Sequence, residues 1–584
     1  MDNRILLRLF RSLLPIQALA LGLTAMNNLF TTFIVGNFIP GTGLAAIGFA
    51  NPLALCLTTL GTLLSVGSQL ICGRCLGEGN AEGIKRTFNS TLACCVAVGA
   101  VITLLCVAFP YSLARLLGAS GDCYDTTAQF VRGFGSGAIF NLLAVCMLPF
   151  LQLDQKANRA TACVAAMVAV NIGFNFLNAF ILKWGLFGAG LATALANLVL
   201  VLVALPHFLF KSKVFRFSPS SIGRESIAEV LRQGAPAGLK PIGLAVKVRM
   251  INGFLFAMGG TLAMSAMSVA CTLSDAIGCM IEGGYTNTGR MIGSVLVGER
   301  DTSSLHKLPR IMIRAIAPVY TGTYLLLCVF AKPIALLMGA ELADVAVYVT
   351  FIRLYLLWFI TNIFQTPAFC QLQALGRGRS VAIMNLLNAL IFPAMLCLPF
   401  GKLLGIEFIV SISWIAEIMD MIAFTVYFII KAKRFPKLPF EMAYVPSRFM
   451  VERENRFKAT VTGLEDLSNA SQGAIDFCKG RGIDSRTAYF CGLCIEEMAA
   501  YTVEHGFPQS KHKSCSIDLR IVYDEGELTV MLRDDCPYFN PTKWLALYTP
   551  DDKLSGIGIK MVSELAKEMN HTSTLGLNVV TIKL

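Results

Sequence analysis

A chain of 584 residues that is 55% hydrophobic and only 15% charged, with a mean hydropathy of +0.63, is too apolar for a soluble globular protein. Its net charge of +12 does not point to nucleic acid, because the surplus is confined to one region. Residues 451–584 hold 15 Lys+Arg against 19 Asp+Glu, and residues 1–450 hold 34 against 18. The basic excess therefore belongs to the loops of a membrane protein, and the charge-rich tail has the composition of an ordinary soluble domain.

In chain order, the N-terminus imitates a signal peptide, with Arg4, Arg8 and Arg11 before an apolar run. That run extends to about Phe38, too long for a signal sequence, and is taken as the first span. A span needs about 20 mainly apolar residues. Twelve stretches qualify: 13–38, 44–75, 88–109, 126–152, 161–182, 186–209, 237–258, 262–297, 311–331, 345–374, 381–400 and 404–430. The longest connection, Lys211–Gly234, holds an amphipathic segment over Ile222–Leu231. With the N-terminus inside, the inner segments carry 22 Lys+Arg and the outer loops four, Arg115, Lys183, Lys332 and Lys402. This bias predicts that both termini are cytoplasmic. The 19 cysteines mostly lie in apolar runs. The Cys72/Cys75 and Cys491/Cys494 pairs have no second pair or His nearby, so no metal centre is expected.

The spans repeat. Gly77-Glu78 closes the second and Gly298-Glu299 the eighth, 221 residues apart, which predicts two related six-span halves of about 10–210 and 232–432. The run "NNLFTTFIVGNFIPGTGLAAIGFANPL", followed by a long span ending in Gly77-Glu78-Gly79, resembles the multidrug and toxic compound extrusion (MATE) family over residues 10–435. That resemblance implies two six-helix bundles around a central cavity. It also implies export of cationic or amphipathic compounds against Na⁺ or H⁺. Many members have an Asp before the "VG" of the first span, where this chain has Thr31 with Asn27 and Asn28 nearby, so that residue's coupling role is not carried over.

Ionisable groups inside spans are costly and mark function by default. Lys240 and Lys247 in the seventh span, and Asp275 and Glu282 in the eighth, are each seven residues apart, so each pair lies on one helix face. Counting back from a Gly259-Gly260 turn brings Lys247 level with Asp275 and Lys240 level with Glu282, and two stacked ion pairs are predicted. Asp275 and Glu282 are the first candidates for ion or substrate coupling. Glu417 and Asp420 in the last span follow, on one face of their helix. Asn171, Asn175 and Asn178 either line the cavity or bond neighbouring helices.

After the basic linker "KAKRFPKLPFE" the periodicity changes. A strand at 457–463, helices at 464–480 and 485–506, a hairpin about Asp524-Glu525-Gly526, a helix at 556–569 and two last strands predict helices layered on a mixed sheet. Three stretches then occur in order: "EEMAAYTVEHGF" (496–507), "RDDCPYFNP" (533–541) and "SGIGIKMV" (555–562). Together they resemble the GHKL, or Bergerat-type, ATPase superfamily, and within it the anti-sigma-factor serine kinases. The resemblance implies Glu497 as general base, His505 and Gly506 as further site residues and Asp534 as acceptor for the adenine amino group. It implies Gly556 and Gly558 as the start of a phosphate-holding helix. Where the family has a Mg²⁺-binding Asn this chain has Tyr501, and Cys536 replaces a Gly.

The expected architecture is thus an all-α polytopic membrane domain of twelve spans over 1–440 and an α/β ATPase-like domain over 450–584. The expected activity is antiport across a bacterial plasma membrane. The partners are the lipid bilayer and a small cationic substrate, with ATP as tail ligand and no nucleic acid. The alternatives are a sensor whose tail binds or phosphorylates a cytoplasmic regulatory protein of the anti-anti-sigma kind, and a flippase for lipid precursors.

Overall fold

The structure is a computed structural model. It describes all residues except 1–2, 39–42, 118, 120–122, 213, 339, 438–440, 442–444, 446–452, 511–514, 525 and 542–556.

Long apolar runs with few breakers become helices that satisfy every backbone group internally, the one solution open to a segment in lipid other than a closed barrel. Spans 1 to 3 are Asn3–Phe38, Gly43–Glu78 and Ala81–Ala108. Span 4 is Cys123–Gly135 plus Ala138–Leu153, bent by 47°. Spans 5 and 6, Ala157–Leu177 and Gly185–Pro206, each end in a π-helical turn. Spans 7 and 8 share the stretch Arg224–Gly298, broken at Gly260, where φ 58° and ψ −147° are open only to a residue without a Cβ. Spans 9 to 12 are Thr302–Val329, Val345–Tyr355 with Trp358–Ala374, Gly378–Leu386 running on to Leu404, and Ile406–Ala432. The amphipathic segment expected after Ile222 is no separate element; from Arg224 it is the first part of span 7. Nine helices, or eleven with the bent pairs, are long and apolar enough to cross a membrane among the described residues. Span 7 is absent from that tally, and it is the span that carries Lys240, Lys247 and Arg249.

Each half packs on itself. Span 1 lies on span 5, span 2 on span 4 and span 5 on span 6; in the second half, span 10 lies on spans 9 and 12 and span 11 on span 12. The halves meet where spans 1 and 2 cross spans 7 and 8. The tail end of this seam is shut by close backbone approach. A Cβ on Gly73 would stand 2.0 Å from Ser294 Oγ, one on Gly77 2.2 Å from the Val295 carbonyl, and one on Gly67 2.1 Å from that of Val230. Only small residues allow helices this near, and dispersion over that contact replaces a hydrophobic force that lipid does not supply.

The tail is a five-stranded sheet of order β1-β2-β3-β5-β4. The strands are β1 Arg456–Val461, β2 Ile517–Asp524, β3 Glu527–Asp534, β4 Glu568–Thr574 and β5 Leu577–Lys583. All neighbours are antiparallel rather than mixed, because β5 inserts between β3 and β4, the two strands that run the same way. Helices Glu465–Gly480, Ser485–Tyr501 and Ile557–Leu565 cover one face, packing Leu519, Ile521, Val530, Leu532 and Ile582. The last helix stops four residues short of the predicted end, since β4 begins at Glu568. The opposite face is covered in part by the membrane domain: Leu575, Leu577 and Val579 join its core.

Candidate functional sites

Within the membrane part, Lys240 Nζ lies 2.7 Å from Glu282 Oε1, and these residues are symmetric about the Gly260 break, as a hairpin requires. The second predicted pair is a correction: among the described residues, no ion pair joins Lys247 to Asp275. Span 8 bends by 41° between Asp275 and Met280, so the seven-residue spacing no longer keeps Asp275 and Glu282 on one straight face. Asp275 is exposed, and the charges acting most strongly on Lys247 are Glu417, Lys240 and Glu282. Glu417 and Asp420 are buried together against span 10, where Thr361 donates to Glu417 and Gln365 to Asp420. Lys240, Lys247, Glu282 and Glu417 thus form one electrostatic group drawn from spans 7, 8 and 12.

The asparagines bond helices together. Asn171 accepts from Thr31 at 2.9 Å and lies 3.4 Å from Thr193, linking spans 1, 5 and 6. Asn178 closes the turn into span 6 by accepting from the Trp184 N–H at 3.0 Å and donating to the Gly185 carbonyl at 2.9 Å.

In the tail, the three motif stretches converge. Glu497 stands against the start of the last helix: a Cβ on Gly558 would lie 1.7 Å from its Oε2. Gly506 abuts Cys536, with a Cβ there 3.3 Å from the sulfur. Asp534 is buried, its Oδ1 receiving the Asn578 side-chain N–H at 3.0 Å and the Cys536 N–H at 2.9 Å. Burial pushes the Asp534 carboxyl above its usual range, against these hydrogen bonds. Tyr501 is sandwiched between His505 and Phe539, with ring centroids 4.4 and 4.7 Å away. Gly556 lies outside the described residues. A buried carboxylate oriented by two hydrogen bonds, as at Asp534, has the chemistry to accept from an adenine amino group. The stacked phenol of Tyr501 does not fit a Mg²⁺ ligand position, and no group of three metal-binding side chains occurs among the described residues. Sequence reasoning missed Asn578, which sits among residues of no motif, and gave no role to Phe539, which lies within the second stretch.

It also missed the contact between tail and membrane part. Arg533, 1% exposed at its side chain, donates to Glu299, lies 3.5 Å from Asp301 and 3.3 Å from Asp518. Lys458 Nζ reaches Asp301 at 2.9 Å, and Arg520 donates to the Glu299 and Arg300 carbonyls at 2.6 and 2.7 Å. Burial opposes the charge on Asp301, yet the Arg520, Lys458 and Arg533 cations hold its carboxyl well below the usual range. Burial dominates at Glu299 and raises its carboxyl. These bonds tie the tail to the loop between spans 8 and 9. Arg8 of span 1 pairs with Asp535, and Gln155 of the loop between spans 4 and 5 donates to Ser573, so the tail also holds the first half.

Fold and sites together define a two-bundle membrane carrier bearing an ATPase-type domain across its closed face. Residues 17–177 match the MatE family model, and residues 461–584 the histidine kinase-like ATPase domain. The membrane part is thus similar to MATE-family proteins, and the tail to histidine kinase-like ATPase domains. It is 23% identical over 409 residues to the multidrug export protein MepA of Staphylococcus saprophyticus, covering 69% of this chain and 88% of that protein. Against MepA of Staphylococcus aureus (strain NCTC 8325) the figures are 24% over 416 residues with the same coverage. Among solved structures, an outward-facing multidrug resistance MATE transporter superposes with a TM-score of 0.68 at 19% identity, covering 74% of this chain and 98% of that one. A MOP superfamily transporter from Pyrococcus furiosus gives 0.68 at 19%, covering 73% and 96%.

Proposed function

We propose that this protein is a secondary antiporter of the bacterial plasma membrane. It exports cationic or amphipathic compounds against Na⁺ or H⁺, and its cytoplasmic tail, over 450–584, binds ATP and regulates the exchange. The observation that carries the regulatory part is the tail's grip on both halves across their closed seam. Opening a carrier on the tail side requires spans 1–6 and 7–12 to separate there. A domain bonded to Glu299 and Asp301 on one half and to Arg8 and Gln155 on the other opposes that movement. Lys240, Lys247, Glu282 and Glu417 are the coupling group, with Asp420 beside it; Asp275, exposed and without an ion-pair partner among the described residues, ranks below them.

In the tail, Asp534 holds the adenine and the helix opening at Gly558 faces the phosphates. Phosphoryl transfer needs its charge neutralised by metal, and Tyr501 offers no such ligand, so the tail binds without acting as a kinase. Glu497 then serves to position the helix rather than as a base.

The test is uptake of a fluorescent cation into proteoliposomes under an imposed Na⁺ or H⁺ gradient, with and without ATP. Uptake should need one gradient, and nucleotide should alter its rate in the wild type but not in Arg533→Ala. No gradient-dependent uptake, or phosphate transferred from ATP to a partner protein by the intact chain, would replace this reading with a signalling role.

A further inference from the structure

A second polar site lies away from both the coupling group and the tail. At the tail-side end of spans 7, 11 and 12 a cavity of about 950 Å³ is lined by Arg232, Arg377, Arg379 and Lys431, with Ser380 and Tyr427 between them. Among the described residues no carboxylate lines it; Glu229, outside the lining, is bonded to Arg232 and to Gln233. A lining with four cations and no carboxylate is positive. The Tyr427 hydroxyl accepts from Arg377 and lies 3.4 Å from Ser380 Oγ. The helix of span 11 starts here at Gly378, with no side chain capping its first N–H groups. Guanidinium forks, hydroxyls and free helix N–H groups are together the donors that a phosphate ester takes.

The surface beside the cavity distinguishes the source of that phosphate. Arg379, Ile383 and Leu386 follow one another at spacings of four and three, a single helix face, and Ile383 and Leu386 are exposed. On span 12, Ile422, Val426 and Ile430 form a second exposed aliphatic row beside Tyr427 and Lys431. Cations at the membrane boundary with aliphatic rows descending into the bilayer match a charged headgroup and its acyl chains. A soluble phosphate has no use for the rows. From this juxtaposition we infer that the cavity is a binding site for an anionic phospholipid, its phosphodiester held by Arg377, Arg379 and Lys431.

The intact protein in neutral detergent provides the test, through its unfolding midpoint titrated with short-chain phosphatidylglycerol, short-chain phosphatidylcholine or inorganic phosphate. Phosphatidylglycerol should raise the midpoint saturably and the other two should not. In Arg379→Gln/Lys431→Gln the half-saturating concentration should rise roughly 30-fold, the effect of losing two cations at about a kilocalorie each. The charge-preserving Arg379→Lys/Lys431→Arg variant should retain the response. An equal shift with inorganic phosphate would overturn the lipid assignment in favour of a soluble anion. No shift with phosphatidylglycerol, or the same titration in wild type and the Gln variant, would overturn the site.

Discussion

Arg533 and Asp534 are consecutive residues of β3, and the pleat sends them to opposite faces of the sheet. One holds Glu299 at the base of span 8; the other sits on the helix-covered side, bonded to Asn578. A change at one is therefore a single residue from the other. Removing the guanidinium in Arg533→Ala leaves the Glu299 carboxylate buried without the cation bonded to it, a loss of about 3–5 kcal/mol in docking. Faster release of the tail by limited proteolysis, with little change in the spans, is the expected readout. The pH dependence has a defined sign. Asp301 has a depressed carboxyl, so its contribution is complete above the ordinary carboxylate value of about 3.9 and is lost as pH falls through the lower folded value. Docking, followed by the same proteolysis, should thus persist near pH 5 and fail only in stronger acid. Asp534→Ala should abolish ATP binding by the intact protein in calorimetry, while Glu497→Gln should leave binding within a few-fold. The motif residues were legible in the sequence because nucleotide chemistry constrains residue types at fixed spacings. Arg533 was not, because its partner lies 234 positions away and nothing local marks a strand arginine as buried.

At the scale of the element, the seam between span 2 and span 8 depends on residues without side chains. Gly73 and Ser294 are close enough that Gly73→Cys/Ser294→Cys should form a disulfide after a shift of about 1 Å, the room a Cβ–Cβ distance near 3.8 Å requires. Oxidation should hold the tail side shut and cut exchange at least tenfold, with recovery on reduction; mass spectrometry of the cross-linked peptide checks the pairing. The order of the helices was readable from hydropathy, because the cost of placing charge or free backbone in lipid leaves few options; the starts at Asn3, Arg224 and Thr302 were not, because those first turns are polar. The 41° bend in span 8 was not readable: no Pro lies near it, and Gly278, within the break, is a residue that spans commonly carry without bending. That bend is why one predicted ion pair formed and the other did not.

For the whole molecule, the antiparallel tail sheet spends one face on its own helices and the other on the carrier. A soluble ATPase-type domain exposes that second face to water. Here Leu575, Leu577 and Val579 are buried in the membrane part's core and Arg520 and Arg533 in its polar rim. The isolated 450–584 fragment should accordingly bind an apolar-surface dye such as ANS and tend to associate, whereas the intact protein should not; dye fluorescence and sedimentation check this. Were the fragment monomeric and dye-silent, the docked arrangement would be of little energetic weight.

The hairpin of spans 7 and 8 bears on how the protein is made. Alone, span 7 would present Lys240 and Lys247 to hydrocarbon, at about 2.5–3.5 kcal/mol for each cation near the bilayer centre. The neutralising carboxylate, Glu282, is translated only after the chain has turned at Gly260. Span 7 therefore has reason to wait in the translocon until span 8 emerges, and the two enter the bilayer as one unit with Lys240 and Glu282 already joined.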